Sequence, residues 1–240
     1  YQYNLSGNCN SILFGDGEGE LFDGCFYRLF EYNSGLVNIS ESFLPATTLA
    51  QSCYSYMFAY CKLLVSPPAL PATTLTESCY SYMFYTCTKL ITAPALPATT
   101  LANYCYQYMF YNCTGITTAP ELPATTLTNF CYESMFANCK SLVSAPALPA
   151  TTLARECYHF MFSGTNVLPD CTNIDFKSES VVASGGLSGL FAETNVTDED
   201  LYNILPINPS TGKYCLPATT LAQRCYSHMF YGCKNLTTAP

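Results

Sequence analysis

A cysteine recurs every 26 residues, at Cys53, Cys79, Cys105, Cys131 and Cys157, and LPATTL precedes each of them. Self-similarity at this period constrains the fold more than any other feature. A unit this short cannot bury its own apolar face, so each must be covered by the next, and the body that results is an elongated coil with a shared core. The unit is residues 44–69, LPATTLAQSCYSYMFAYCKLLVSPPA, and regular copies begin at Leu44, Leu70, Leu96, Leu122 and Leu148. A further copy, LPATTLAQRCYSHMFYGCKNL, resumes at Leu216 after a break.

Within a unit, Cys53, Tyr54, Met57, Phe58 and Cys61 fall at i, i+1, i+4, i+5 and i+8, a stripe that predicts a helix of two to three turns. Thr48 with Gln51, Thr74 with Glu77 and Thr220 with Gln223 have the spacing of capping boxes at its start. Pro67, Pro68 and Pro71 forbid its continuation, and residues 64–66 read as a short strand. The fold class expected is therefore an α/β repeat solenoid, with a short strand and a short helix in each 26-residue repeat.

Residues 1–21 lack the repeat and read as an N-terminal cap, with YQYNL and SILF as short strands and GDGEGE as a turn. Asp16, Glu18 and Glu20 lack the Gly and the final Glu of a calcium loop, so they read as a solvated turn. The solenoid occupies residues 22–240, opening with a degenerate coil, CFYRLFEYNSGL. An irregular coil spans 163–214. Inside it, GLSGLFAETNV copies the repeat module with Leu190 and Phe191 in place of Met and Phe, and Thr197 with Asp198, Glu199 and Asp200 caps a helix through Leu205. NPSTGKY at 208–214 is a loop.

Two cysteine ladders run through the repeats, one at Cys53, Cys79, Cys105, Cys131, Cys157 and Cys225, the other at Cys61, Cys87, Cys113, Cys139 and Cys233. Asn33 and Thr165 replace the second ladder's cysteine in two coils, which a structural disulfide would not tolerate. Buried free thiols in a slot for small residues are expected instead. Cys171 and Cys215 lie off both ladders and are the better candidates for a bridge.

The pattern LPATTLxxxCYxxMFxxCxxLxxAP resembles the BspA-type leucine-rich-repeat (LRR) family of bacterial surface proteins, abundant in Bacteroidetes, over roughly residues 22–240. The resemblance implies a right-handed leucine-rich-repeat coil. It also implies a secreted or cell-surface protein engaged in adhesion and other protein–protein interaction with host or bacterial partners, without catalytic residues or cofactors. The 26-residue period is longer than is usual in the family. The first residues, YQYNLSGNCN, lack the basic and apolar regions of a secretory signal, and the last, LTTAP, stop partway through a repeat, so the chain reads as a piece of a longer protein.

Chemistry is sparse. A net charge of −8 without a Lys/Arg cluster excludes the electrostatic footprint that nucleic acid or an anionic membrane requires. No run of residues is apolar for the length of a membrane span. No nucleophile elbow, metalloprotease helix or phosphate loop occurs, cysteines eight apart are wrong for zinc knuckles, and His159 and His228 read as surface substitutions. No catalytic, cofactor or metal residue is therefore expected, and the chain is not read as an enzyme. Charged residues are only 11% of the chain, so what remains for function is a weakly charged surface. Stacking lines up Val65, Ile91, Thr117 and Val143 in one file and Tyr56, Tyr82 and Tyr108 in another, candidates for docking an extracellular protein. Such files also suit a glycan ligand, and a spacer that presents another domain is a third reading.

Overall fold

The computed structural model describes residues 1–15, 19–150, 153–167, 185–194, 197 and 227–236. The N-terminal strand β1 (Tyr3–Leu5) pairs in parallel with β2 (Leu36–Ile39). Between them lies α1 (Asn10–Phe14), so the expected strand SILF is helical and stops at Gly15, whose φ of 67° an L side chain adopts only with strain. A single 3-10 turn, Glu41–Phe43, follows β2. The Cys9 N–H donates to the Phe43 carbonyl and the Tyr3 N–H to that of Gly35, which ties residues 1–15 to the first layer of the repeat. Asp16 and Glu18 lie outside the described residues.

The helix expected over residues 53–61 is not formed; in its place stands a run of consecutive tight turns. The N–H groups of Cys53, Ser55, Met57, Ala59 and Cys61 donate to carbonyls three residues earlier. Those of Ser52, Tyr54, Tyr56, Phe58 and Tyr60 leave the segment altogether and donate to Glu77, Cys79, Ser81, Met83 and Tyr85 in the next unit, at 2.7–3.0 Å. Every fourth residue has a left-handed backbone, with φ of 54° at Ser52, 57° at Tyr56 and 61° at Tyr60. The physical reason is the period. An α-helix advances 3.6 residues per turn, so a pair of apolar residues repeated every four would drift by about 40° per step. The turn run repeats every four residues and keeps Cys53/Tyr54, Met57/Phe58 and Cys61 on one buried face. With no helix there, Thr48 and Thr74 cap nothing. Thr74 instead bridges Thr100, whose carbonyl accepts the Leu75 N–H at 2.9 Å.

The opposite side of each unit is thinner than expected. The strand at 64–66 reduces to isolated parallel bridges, Asn38↔Ser66 and then Thr92↔Thr118↔Ser144. Pro67 and Pro68, and Pro94 in the next unit, have no N–H with which to extend the ladder.

Two files of rings fill the interior. Phe26, Tyr54, Tyr80, Tyr106, Tyr132 and Tyr158 stack with centroids 5.8–6.0 Å apart. Phe30, Phe58, Phe84, Phe110, Phe136 and Phe162 do so at 5.6–5.8 Å. Fully burying one such side chain is worth about 1.5–3 kcal/mol, so each added layer brings its own stabilisation. Residues 185–194 form the layer after 154–165. Tyr158, Phe160 and Gly164 donate to Gly186, Ser188 and Ala192, and Gly189, Phe191 and Glu193 donate onward to Ser227, Met229 and Tyr231. This segment too is turns rather than helix. Cys171, Cys215, Cys225, the helix expected over 198–205 and the loop at 208–214 lie outside the described residues.

Candidate functional site: an aromatic face and a polar file

Because the turn run puts one residue in four at a left-handed corner, those side chains project from the layer in vertical files. Tyr56, Tyr82 and Tyr108 stack nearly parallel, with centroids 4.3 and 4.7 Å apart and interplanar angles of 6° and 10°. Tyr32 stacks on Tyr60 at 4.4 Å and Tyr85 on Tyr111 at 4.9 Å, and Tyr82 touches Tyr85 at 5.5 Å, so the files merge into one tyrosine face, partly buried except at the exposed Tyr32. Arg28 lies over the Tyr56 ring at 4.7 Å. Burial raises the phenol pKa of Tyr56, Tyr82 and Tyr108, and the Glu133 carboxylate adds to the rise at Tyr108, so these hydroxyls stay protonated donors.

Of the second file, hydrogen bonds join Ile91, Thr117 and Val143, while Val65 bonds back to Val37. Val143 N–H donates to the Thr117 carbonyl at 2.9 Å and Thr117 N–H to that of Ile91 at 3.4 Å. Val65 N–H donates to Val37 at 2.7 Å. Ile91 and Val143 are 51% and 79% exposed, which is high for apolar side chains with no cover. Next to this side lies an open groove of about 560 Å³ walled by Glu41, Pro67, Pro68, Pro71, Pro94 and Pro97.

The second-ladder thiols are donors rather than fillers. Cys61, Cys87, Cys113 and Cys139 donate from Sγ to the carbonyls of Phe30, Phe58, Phe84 and Phe110 in the preceding layer, at 2.9–3.1 Å. The Phe58, Phe84 and Phe110 carbonyls already accept an N–H within their own turn, so the thiol uses the second lone pair. The residues that replace cysteine in this column bond within their own layer instead. Thr165 and Thr194 donate from Oγ1 to Phe162 and Phe191 at 2.7 Å, and Asn33 holds its own turn through Gly35 and Leu36. The described cysteines are free thiols. Burial pushes Cys61, Cys79, Cys131 and Cys139 up to about 12 and Cys87, Cys105, Cys113 and Cys157 well above their ordinary value, which keeps them from thiolate chemistry.

One arrangement was not visible as a site in the sequence. The position two after the first-ladder cysteine reads Ser55, Ser81, Gln107, Glu133, His159 up the stack, and these side chains form a continuous polar file. Ser55 Oγ donates to the Ser81 carbonyl at 3.0 Å and Ser81 Oγ to that of Gln107 at 3.4 Å. Gln107 Nε2 donates to Glu133 Oε2 at 2.6 Å, and Tyr108 OH donates to Glu133 Oε1 at 3.4 Å. His159 Nδ1 lies 3.4 Å from Glu133 Oε1 and 3.7 Å from Glu156 Oε2. His159 is thus no isolated surface substitution: it stands over a nearly buried carboxylate. The signal was the column, which becomes more polar as it climbs; His159 examined alone did not carry it. His228 pairs with Ser227 Oγ at 2.7 Å and stacks edge-on with Tyr231.

Comparison of the chain with protein-family models, with curated proteins and with solved structures found no match.

Proposed function

We propose that this chain is a non-enzymatic interaction module, a repeat solenoid akin to BspA-type leucine-rich-repeat proteins, that binds an extracellular protein partner through its tyrosine face in a secreted or cell-surface setting. The observation that carries this reading is the parallel stack Tyr56–Tyr82–Tyr108 beside Tyr85–Tyr111. Neighbours occupy the faces of these rings, so the side chains meet solvent with their edges and hydroxyls. Rigid tyrosines with rows of hydroxyl donors suit a protein surface, where tyrosine anchors dominate binding energy. A sugar that stacks on an aromatic needs an open ring face, and within these files the faces are taken, which ranks the glycan reading second.

The test is solid-phase binding of the chain to a panel of purified extracellular matrix proteins, repeated with Tyr56, Tyr82 and Tyr108 all changed to Ser. Saturable binding to one member, weakened about 30-fold or more in the triple variant, supports the proposal. Binding that survives the triple substitution, or a panel without any saturable binding beside a positive glycan array, overturns it.

A further inference from the structure

At the top of the polar file three metal-ligating side chains converge from two adjacent layers. Glu133, Glu156 and His159 each offer one ligand atom, and all three atoms lie within 4.8 Å of one another. Two ligands of a tetrahedral zinc ion, at bonds of about 2.0–2.1 Å, stand about 3.3–3.4 Å apart. The imidazole nitrogen is already 3.4 Å and 3.7 Å from its two carboxylate oxygens, so the two pairs that include it reach zinc spacing with shifts of only tenths of an ångström.

Independent of that spacing, the carboxylates are aimed. The Glu133 side chain is nine-tenths buried, and Gln107 Nε2 fixes its Oε2 at 2.6 Å, while Oε1 faces the imidazole and also accepts from Tyr108 OH at 3.4 Å. Arg155 Nε holds Glu156 Oε1 at 3.4 Å, which leaves Oε2 toward the same nitrogen. Each carboxylate therefore has one oxygen tethered by a cationic or amide donor and turns the other toward the imidazole, that of Glu133 being steadied by Tyr108 OH as well, an outer-shell arrangement that orients ligands round a metal. His159 and Glu156 are about one-fifth exposed, so an ion can enter from solvent. One imidazole and two carboxylates suit a borderline first-row dication, whereas calcium would want six or more oxygens.

We propose that Glu133, Glu156 and His159 bind a first-row divalent cation, zinc above all, with its fourth position open to water or to a group from a partner. The ion clamps the layer that carries Glu133 to the layer that carries His159. Gln107 is a positioning residue that holds Glu133 and does not touch the ion.

Titration calorimetry of the full chain with zinc chloride, and visible absorption with cobalt(II), test this. The expected result is one zinc per chain and weak cobalt d–d bands without a thiolate charge-transfer band. Both His159→Gln and Glu133→Gln should weaken binding at least 100-fold, and Gln107→Leu about 10–100-fold. Zinc should also raise the thermal midpoint of the wild-type chain and leave that of His159→Gln unmoved. A thiolate charge-transfer band would place the metal on cysteines, and equal affinity in the variants or no binding heat would equally overturn the proposal. The wild-type cobalt spectrum decides between nitrogen/oxygen and sulfur ligation even if a variant fails to fold.

Discussion

The buried thiols make a quantitative demand on stability at alkaline pH. Burial raises Cys61, Cys79, Cys131 and Cys139 to about 12, and Cys87, Cys105, Cys113 and Cys157 well above the ordinary value of 9.0 that each regains on unfolding. The sign follows from proton binding. Above pH 9 the unfolded chain loses thiol protons that the folded chain keeps, so stability is whole below about pH 9 and falls as pH climbs toward 12. Between pH 8 and pH 10 one thiol raised to about 12 removes about 1.4 kcal/mol, and Cys61, Cys79, Cys131 and Cys139 together remove about 5.5 kcal/mol, the other four adding in the same direction. That alone reaches the lower end of the whole stability of an ordinary domain, roughly 5–15 kcal/mol. Urea unfolding followed by tyrosine fluorescence under reductant, at fixed ionic strength, should show the midpoint collapse over this interval. Cys139→Ala should recover about 1.4 kcal/mol of the pH-dependent loss, whatever it costs at pH 7. A fall smaller than ~3 kcal/mol between pH 8 and pH 10 would refute the account, because it would mean that the ladder thiols are oxidised or reach solvent.

The backbone makes further demands. Ser78 has φ of 55°, so Ser78→Val should cost about 1–2 kcal/mol in urea unfolding while Ser78→Gly stays within about 0.5 kcal/mol. Phe84 is fully buried between Phe58 and Phe110, and Phe84→Ala should cost about 3–5 kcal/mol by the same assay. Tyr82→Ala removes two close ring stacks and should cost about 1–3 kcal/mol, most of which Tyr82→Phe should retain.

The 26-residue period told which residues meet: Cys53 over Cys79, Phe58 over Phe84 and Tyr56 over Tyr82 are all read from register alone. It could not tell what backbone lies between them. Cys53, Tyr54, Met57, Phe58 and Cys61 satisfy a helical template loosely and a four-residue turn template without drift, and the second wins because each unit offers the preceding one an aligned row of carbonyls. A local pattern does not contain those carbonyls; they belong to a neighbour 25 residues away. A trace of the true backbone does stand in the sequence. The left-handed corners are occupied by Asn112, Asn138, Gly164, Gly185, Gly189 and Gly232 in several units, residues that tolerate positive φ, although tyrosines at the same column in other units mask the signal. The polar file was missed for a related reason. Glu133 and His159 sit at one column of successive units, and only comparison down the column joins them.

The inter-layer bonds of the turn run also have a direction. From the first layer to the last described one, N–H groups point toward the following layer and carbonyls toward the preceding one, five abreast between regular units. Peptide dipoles so aligned add instead of cancelling, as they do along a helix. The column therefore has two unlike poles, and its length can change only by whole units inserted in the same orientation. Duplicating a repeat continues every amide row, whereas joining two like ends would set carbonyl against carbonyl. A grammar of this kind lets such a chain lengthen by tandem copying of its own sequence and leaves the bonding of every existing layer as it was.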